Sequence, residues 1–439
     1  MIIFYNVTMK KLIESLRRIH WKLFLALLLM GFCPAIYTSV RTYLLGTLPG
    51  EWSYSIAGQL SWVNLIYEIL NEALIFPLFF FVGGVVNDKR EFSNRIRSGL
   101  LVTLVLYSAL SAIVIIFAEP LLNSMATSRD IIKESATYIR IESVANIFGI
   151  LFSFVCVAIV ALGKASDVYI LTGAKLILCI ASDLILVRKL GVYGIGISNI
   201  TVNIILFFVS LAILRKYGCN LFTKERISFR WTNELAKRGG LSGLESFVRN
   251  IAYMLMVSRM VNMVGEQGTY WVANNFIWGW LLLPINQLAE LIKQETSTDE
   301  NAVRKNSPAY FFITGSICLI WIILIPTYKP FMQYVLNYSD VEKLYELVML
   351  LLGFYVLYAI QNVCDSTFYG CGRTDYMLLE SVVTNTIYYG FFFILYLTGK
   401  WVPTLTGIAL MFGFGNMFDT IVSGMVYIRF LRKRGIIKT

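Results

Sequence analysis

The sequence predicts an all-α polytopic membrane protein, with twelve transmembrane helices in two pseudo-symmetric six-helix lobes around a central cleft. Three observations carry that prediction. Of 439 residues, 57% are hydrophobic and 15% charged, against about 25% charged in soluble domains, and the mean hydropathy is +0.67. Polar breaks divide the chain into twelve apolar runs, and a helix needs about 20 apolar residues to cross a bilayer. Basic residues gather in alternate connections between those runs, which is the charge pattern of a polytopic chain.

The runs are 23–47, 57–86, 100–117, 138–162, 168–187, 194–214, 239–264, 270–291, 309–325, 344–368, 376–398 and 405–430. Before the first, Lys10, Lys11, Arg17, Arg18 and Lys22 precede an apolar stretch that reaches Leu45 without a small-residue cleavage site. Residues 1–22 therefore read as an amphipathic N-terminal segment, not a removable signal. The second connection holds Lys89, Arg90, Arg95 and Arg97, and the sixth runs from Arg215 to Arg238. Over all connections, one side receives about 26 basic residues and the other about 7. That bias places both termini in the cytoplasm, with the chain spanning a plasma (inner) membrane an even number of times. The same distribution accounts for the net charge of +11, so the surplus does not point to nucleic acid.

An internal repeat follows from landmarks in register. Pro77 and Pro284, Tyr138 and Tyr345, Gly163-Lys164 and Gly372-Arg373, and Asp167 and Asp375 are each offset by about 208 residues, at equivalent points of a six-helix unit. The organisation is then an N-lobe over 23–214, a cytoplasmic linker over 215–238, a C-lobe over 239–430 and a basic tail over 431–439. Parallel halves related by an axis along the membrane normal form a central site between them.

A charged side chain inside a span is costly, and marks a pathway, a partner or both. Arg41 and Asp183 are the sharpest pair, with the guanidinium as a fixed counter-charge for the carboxylate. Asn64, Glu68 and Glu72 form a stripe at four-residue spacing on the second span, ending one turn before Pro77. Glu245 and Arg249 stand one turn apart on the seventh span, as do Gln361 and Asp365 on the tenth. Acidic groups on those two spans are candidates to converge on a proton or sodium ion, with any sodium placed near Glu245. Tyr37, Asn64, Glu68, Asn199, Trp278, Tyr358 and Gln361 are expected to line the cavity, with Trp271 and Trp280 as further aromatics. Glu290 with Lys293, and Asp419 near Asn416, read as polar contacts at helix ends or between lobes. The seven cysteines show no paired metal spacing, and no cofactor is implied.

The segment Val82-Gly-Gly-Val-Val-Asn-Asp-Lys-Arg-Glu-Phe-Ser-Asn-Arg-Ile-Arg-Ser-Gly99 resembles the connection between helices two and three of the multidrug and toxic compound extrusion (MATE) family, within a wider superfamily of flippases and drug exporters. Gly163-Lys-Ala-Ser-Asp167 and Gly370-Cys-Gly-Arg-Thr-Asp375 are similar to its glycine-basic turns before helices five and eleven. Gly191-Val-Tyr-Gly-Ile-Gly-Ile-Ser-Asn199 is similar to the opening of its helix six, and Gly243-Leu-Glu-Ser246 places Glu245 at its acidic position in helix seven. The resemblance implies a V-shaped pair of lobes, alternating access, and export of amphipathic, often cationic compounds driven by entry of protons or sodium. The sequence departs from the family within Ser39-Val-Arg-Thr-Tyr-Leu-Leu-Gly46, where Arg41 stands at the expected acid. In helix five, Asp183 and Val187 take the positions of the family's Asn and Asp.

The expected function is a secondary active antiporter with a small organic substrate, a proton or sodium ion and the lipid bilayer as partners, working as a monomer. The alternative is a flippase for a lipid-linked oligosaccharide or similar anionic amphiphile, for which Arg41, Lys175, Arg249 and Arg259 supply basic groups. An enzyme is not expected. The chain has no phosphate-binding Gly-x-x-x-x-Gly-Lys-Ser/Thr loop and no His-Glu-x-x-His helix, and its one histidine, His20, falls in the amphipathic segment.

Overall fold

The computed structural model describes residues 9–49, 52–219, 226–299 and 301–436, and contains no strand among them. Its helices are α1 (Met9–Arg18), α2 (Trp21–Gly46), α3 (Ser53–Gly83), α4 (Lys89–Ile116), α5 (Ala118–Ser124), α6 (Ile132–Ala161), α7 (Ala165–Leu190), α8 (Tyr193–Lys216) and α9 (Thr232–Tyr253). These are followed by α10 (Arg259–Met263), α11 (Gln267–Phe276), α12 (Leu283–Thr298), α13 (Ala302–Tyr334), α14 (Val341–Gly370), α15 (Thr374–Val383), α16 (Gly390–Leu397) and α17 (Leu405–Lys433). The π-helical turns Met254–Ser258, Ile277–Leu281 and Thr384–Tyr389 join α9 to α10, α11 to α12 and α15 to α16. With those pieces taken as continuous rods, every apolar run expected from the sequence has its own helix. Parts of the N-terminal segment (1–8), the 215–238 connection (220–225) and the tail (437–439) lie outside the described residues.

Nine helices among the described residues are long and apolar enough to cross a membrane. The other three rods carry the internal charges Glu68 and Glu72, Glu245 and Arg249, and Glu290 and Lys293. Large apolar side chains such as Ile116, Ile170, Ile177 and Ile323 are exposed. In water that would be a liability, but it suits helices whose outer faces meet lipid.

Local chemistry sets the helix boundaries. The Asp88 carboxylate accepts from the backbone N–H groups of Arg90 and Glu91 at 3.0 and 3.1 Å, capping the orphan donors at the start of α4. After α6, Gly163 takes φ +74°, and the next N–H, of Lys164, returns to the carbonyl of Ile159 at 3.2 Å. After α14, Gly372 takes φ +67° and Arg373 returns to Phe368 at 2.8 Å. Both are glycine-terminated Schellman ends. Gly399 after α16 ends its helix in the same way, at φ +69°, and Gly191, 208 residues earlier after α7, also takes a positive φ of +62°. The sequence repeat therefore has a backbone counterpart.

The chain packs as two compact units, Ser39–Trp271 and Met1–Thr38 with Val272–Thr439. In the first, Trp62, Tyr67, Tyr107, Leu122 and Ile139 form one buried cluster, and Leu44, Leu45, Tyr138, Val187 and Ile195 form another. The sequence repeat turns over in the 215–238 connection, yet α9 packs inside this unit because it lies along α3. Gly239 and Gly243, one turn apart, allow that approach. A Cβ at Gly239 would collide with the Ala73 carbonyl, and one at Gly243 would stand 2.8 Å from the Ala73 Cβ. Gly239→Ala is expected to push α3 and α9 apart and cost about 1–3 kcal/mol. The readout is the melting temperature in detergent, and an unchanged value would contradict so close a contact. In the other unit, α14 and α17 pack through rings, with Phe368 at 5.8 Å from Tyr427 and 5.5 Å from Phe430.

Candidate functional site

The structure brings Arg41 and Asp183 together. Arg41, on α2, donates from Nε to Asp183 Oδ2 at 2.6 Å and from Nη2 to Asp183 Oδ1 at 3.4 Å. The same Nη2 donates to Asn199 Oδ1 on α8 at 2.6 Å. The Asn199 amide in turn donates to both oxygens of Glu142, on α6, at 2.9 and 3.0 Å. Asp183 is fully buried and Glu142 nearly so, while Arg41 keeps 12% of its side chain exposed. Four helices thus share one charged network. The planar guanidinium suits this junction, because it donates along two directions at once and remains charged. Lys175, on the same helix as Asp183, lies 5.7 Å from the centre of the Phe152 ring.

The stripe on α3 is divided between partners on α9. Arg249 donates to Glu68 at 3.3 Å and pairs with Glu245 at 3.2 Å. Ser242 donates to Glu72 at 3.2 Å. Glu68 and Glu72, one turn apart on α3, thus meet Arg249 and Ser242, two turns apart on α9, while Asn64 is exposed. Glu245 and Asp365 lie in different compact units, each with its own partners.

The second polar cluster lies between α14, α15 and α17. The Gln361 amide nitrogen donates to Asp365 Oδ2 at 3.2 Å and to Asp419 Oδ2 at 2.6 Å. Ser423 donates to the other Asp365 oxygen at 2.9 Å, and Thr384, in the π-helical turn, donates to the other Asp419 oxygen at 2.6 Å. Glu380, on α15, is a third carboxylate near Asp365, and both Gln361 and Glu380 are buried. A π turn carries an extra residue, and such turns recur at functional sites. Here one delivers the Thr384 hydroxyl to a carboxylate. The chemistry available is proton uptake. Two carboxylates fastened to one amide nitrogen repel in a low dielectric, and a proton taken up by the pair relieves that repulsion.

Trp278 lies 5.5 Å from the Tyr358 ring and 6.3 Å from Tyr355, and remains 41% exposed. Tyr37 is half-buried on α2. Glu290 pairs with Lys293 at 2.7 Å, as its spacing suggests. Asp419, which the sequence suggested as a helix-end or interlobe contact near Asn416, instead belongs to the Gln361 cluster. Glu142 and Glu380 were absent from the expected set. Each falls near the polar start of an apolar run, at 138 and 376, where a hydrated carboxylate raises no alarm. Their burial was the missing signal.

The family model MatE matches residues 86–185. No curated protein matches the sequence. The fold is similar to an inward-facing multidrug resistance MATE family transporter of the MOP superfamily, at TM-score 0.76 and 17% identity, over 91% of this chain and 94% of the other. An outward-facing one gives TM-score 0.74 and 19% identity, over 99% and 100%. A MOP superfamily transporter from Pyrococcus furiosus, described as having a binding pocket of reverse polarity that suggests a different function, gives 0.67 and 18% over 99% and 100%.

Proposed function

This chain has the fold of the multidrug and toxic compound extrusion transporters, and on that footing we propose that it is a secondary active antiporter exporting amphipathic organic cations in exchange for protons or sodium. The repeats 23–214 and 239–430 are the two moving lobes, with both termini in the cytoplasm and the chain in the plasma (inner) membrane as a monomer. Structures of this fold facing inward and outward support alternating access. No catalytic constellation is required.

The observation that carries the reading is the pair Asp365 and Asp419, hydrogen-bonded to one amide nitrogen within spanning helices. Polar groups at such positions mark ion and proton pathways. The donor between them favours a proton over a metal cation, since an N–H competes for the oxygens that a sodium ion would need. Asp183 is differently placed, because Arg41 already supplies its positive charge.

The flippase reading needs basic groups for a phosphate. Arg41 and Arg249 are engaged in ion pairs, Arg259 donates to the Ser124 carbonyl at 3.0 Å, and Lys175 lies over the Phe152 ring. Those engagements support the cation exporter.

Transport into proteoliposomes under separately imposed proton and sodium gradients tests the proposal. A fluorescent organic cation is expected to move against its gradient under the proton gradient. Movement of a lipid-linked anion alone would replace the exporter by the flippase.

A further inference from the structure

We propose that the unit Met1–Thr38 with Val272–Thr439 holds one anionic membrane lipid, its acyl chain in an apolar cavity along α13 and its headgroup on the basic N-terminal segment. The cavity has a volume of about 680 Å³, within the range of small-molecule sites. Its lining follows α13 from Phe312 to Phe331 and α2 from Trp21 to Phe32. At about 1.5 Å per residue, the α13 wall alone is about 28 Å long, a shape for an extended chain.

The lining chemistry selects an apolar occupant. None of the lining side chains is charged, and the three hydroxyls among them are turned to the backbone. Ser316 donates to Phe312 at 2.9 Å, Thr327 to Leu324 at 2.7 Å and Tyr328 to Trp321 at 2.7 Å. An organic cation would find no carboxylate there.

The end of the cavity beside α1 selects the headgroup. One end of the cavity is formed by Leu16 and Trp21, where α1 passes into α2. The α1 helix is fixed there: Ile19 is buried, and Ser15 donates to the Lys305 carbonyl at 2.7 Å. The His20 backbone N–H donates to Glu295 at 2.9 Å, and Glu295 also accepts from Asn306 at 2.9 Å and Tyr310 at 2.5 Å. With that face docked, Lys10, Lys11, Arg17, Arg18 and Lys22 are exposed, opposed on the same stretch by Glu14 alone. Arg17, Arg18 and Lys22 adjoin Leu16 and Trp21 in sequence. A basic amphipathic helix of this kind attracts anionic headgroups.

Native mass spectrometry of the whole detergent-purified chain, titrated with phosphatidylglycerol or phosphatidylcholine of the same chains, tests the proposal. One phosphatidylglycerol adduct is expected to form well before the phosphatidylcholine one. Arg17→Gln with Arg18→Gln and Lys22→Gln leaves the docked face intact, and should lower the preference about fivefold for each charge removed. Ser316→Phe puts a ring across the cavity beside α13 and should abolish the adduct. Equal binding of the two lipids by the unaltered chain, an unchanged preference in the charge variant, or an adduct that survives Ser316→Phe in folded protein would overturn the proposal.

Discussion

Arg41→Ala is expected to destabilise the protein by about 3–5 kcal/mol, the usual consequence of removing one partner from a buried ion pair. Asp183 and Glu142 would remain buried with Asn199 between them and without the guanidinium that now faces Asp183 at 2.6 Å. The loss should be partly reversed by lowering the pH, which neutralises the stranded carboxylates, or by adding sodium, which replaces the missing charge and binds only the folded state. The unaltered chain should show neither rescue at this site, because its cation is built in. Arg41→Lys keeps the charge but cannot donate along both directions, and should fall between the two. Exchanging the charges, Arg41→Asp with Asp183→Arg, should recover part of what each single change loses. If each single change left the melting temperature untouched and the exchange restored nothing, Arg41 would not be the counter-charge proposed.

Asp365→Asn and Asp419→Asn should each reduce proton-driven export of an organic cation to the level of protein-free liposomes, while leaving the purified protein folded. The neutral amide keeps the size of the carboxyl and part of its hydrogen bonding, but removes the like-charge repulsion that makes the pair take up a proton. Stability should therefore change little, and the single variants should even melt slightly higher. The double variant should transport no worse than either single one, because the two carboxylates act as one proton site. Counterflow exchange of labelled for unlabelled cation, which needs no proton gradient, should survive in all three. Loss of exchange together with gradient-driven transport would mean that these residues bind the organic substrate instead.

The twelve rods were legible because apolar length is a one-dimensional property of the chain, and so was the repeat, whose glycine turns recur in sequence and in backbone angle. Spacing within one helix was also legible: Glu245 with Arg249 and Glu290 with Lys293, each about one turn apart, form ion pairs. Arg41 with Asp183 could be read across 142 residues, because a lone charge deep in a span demands a partner and few candidates exist. The Gln361 bridge to Asp419 could not. An amide deep in a helix has many neutral ways to be satisfied, and the π turn that carries Thr384 to Asp419 leaves no compositional trace. Glu68 and Glu72 show the converse case. Their spacing on α3 is a true stripe, but the α9 face opposite decides which residue each one meets.

The central claim is that proton entry at Asp365 and Asp419 drives outward movement of an organic cation. Recording internal pH and internal cation together, in proteoliposomes given a proton gradient with no sodium present, tests it most directly. The account predicts that the two signals change together, that the proton flux requires the organic cation, and that both vanish in Asp365→Asn. Cation movement without any proton flux, or with an equal proton flux in Asp365→Asn, would contradict it.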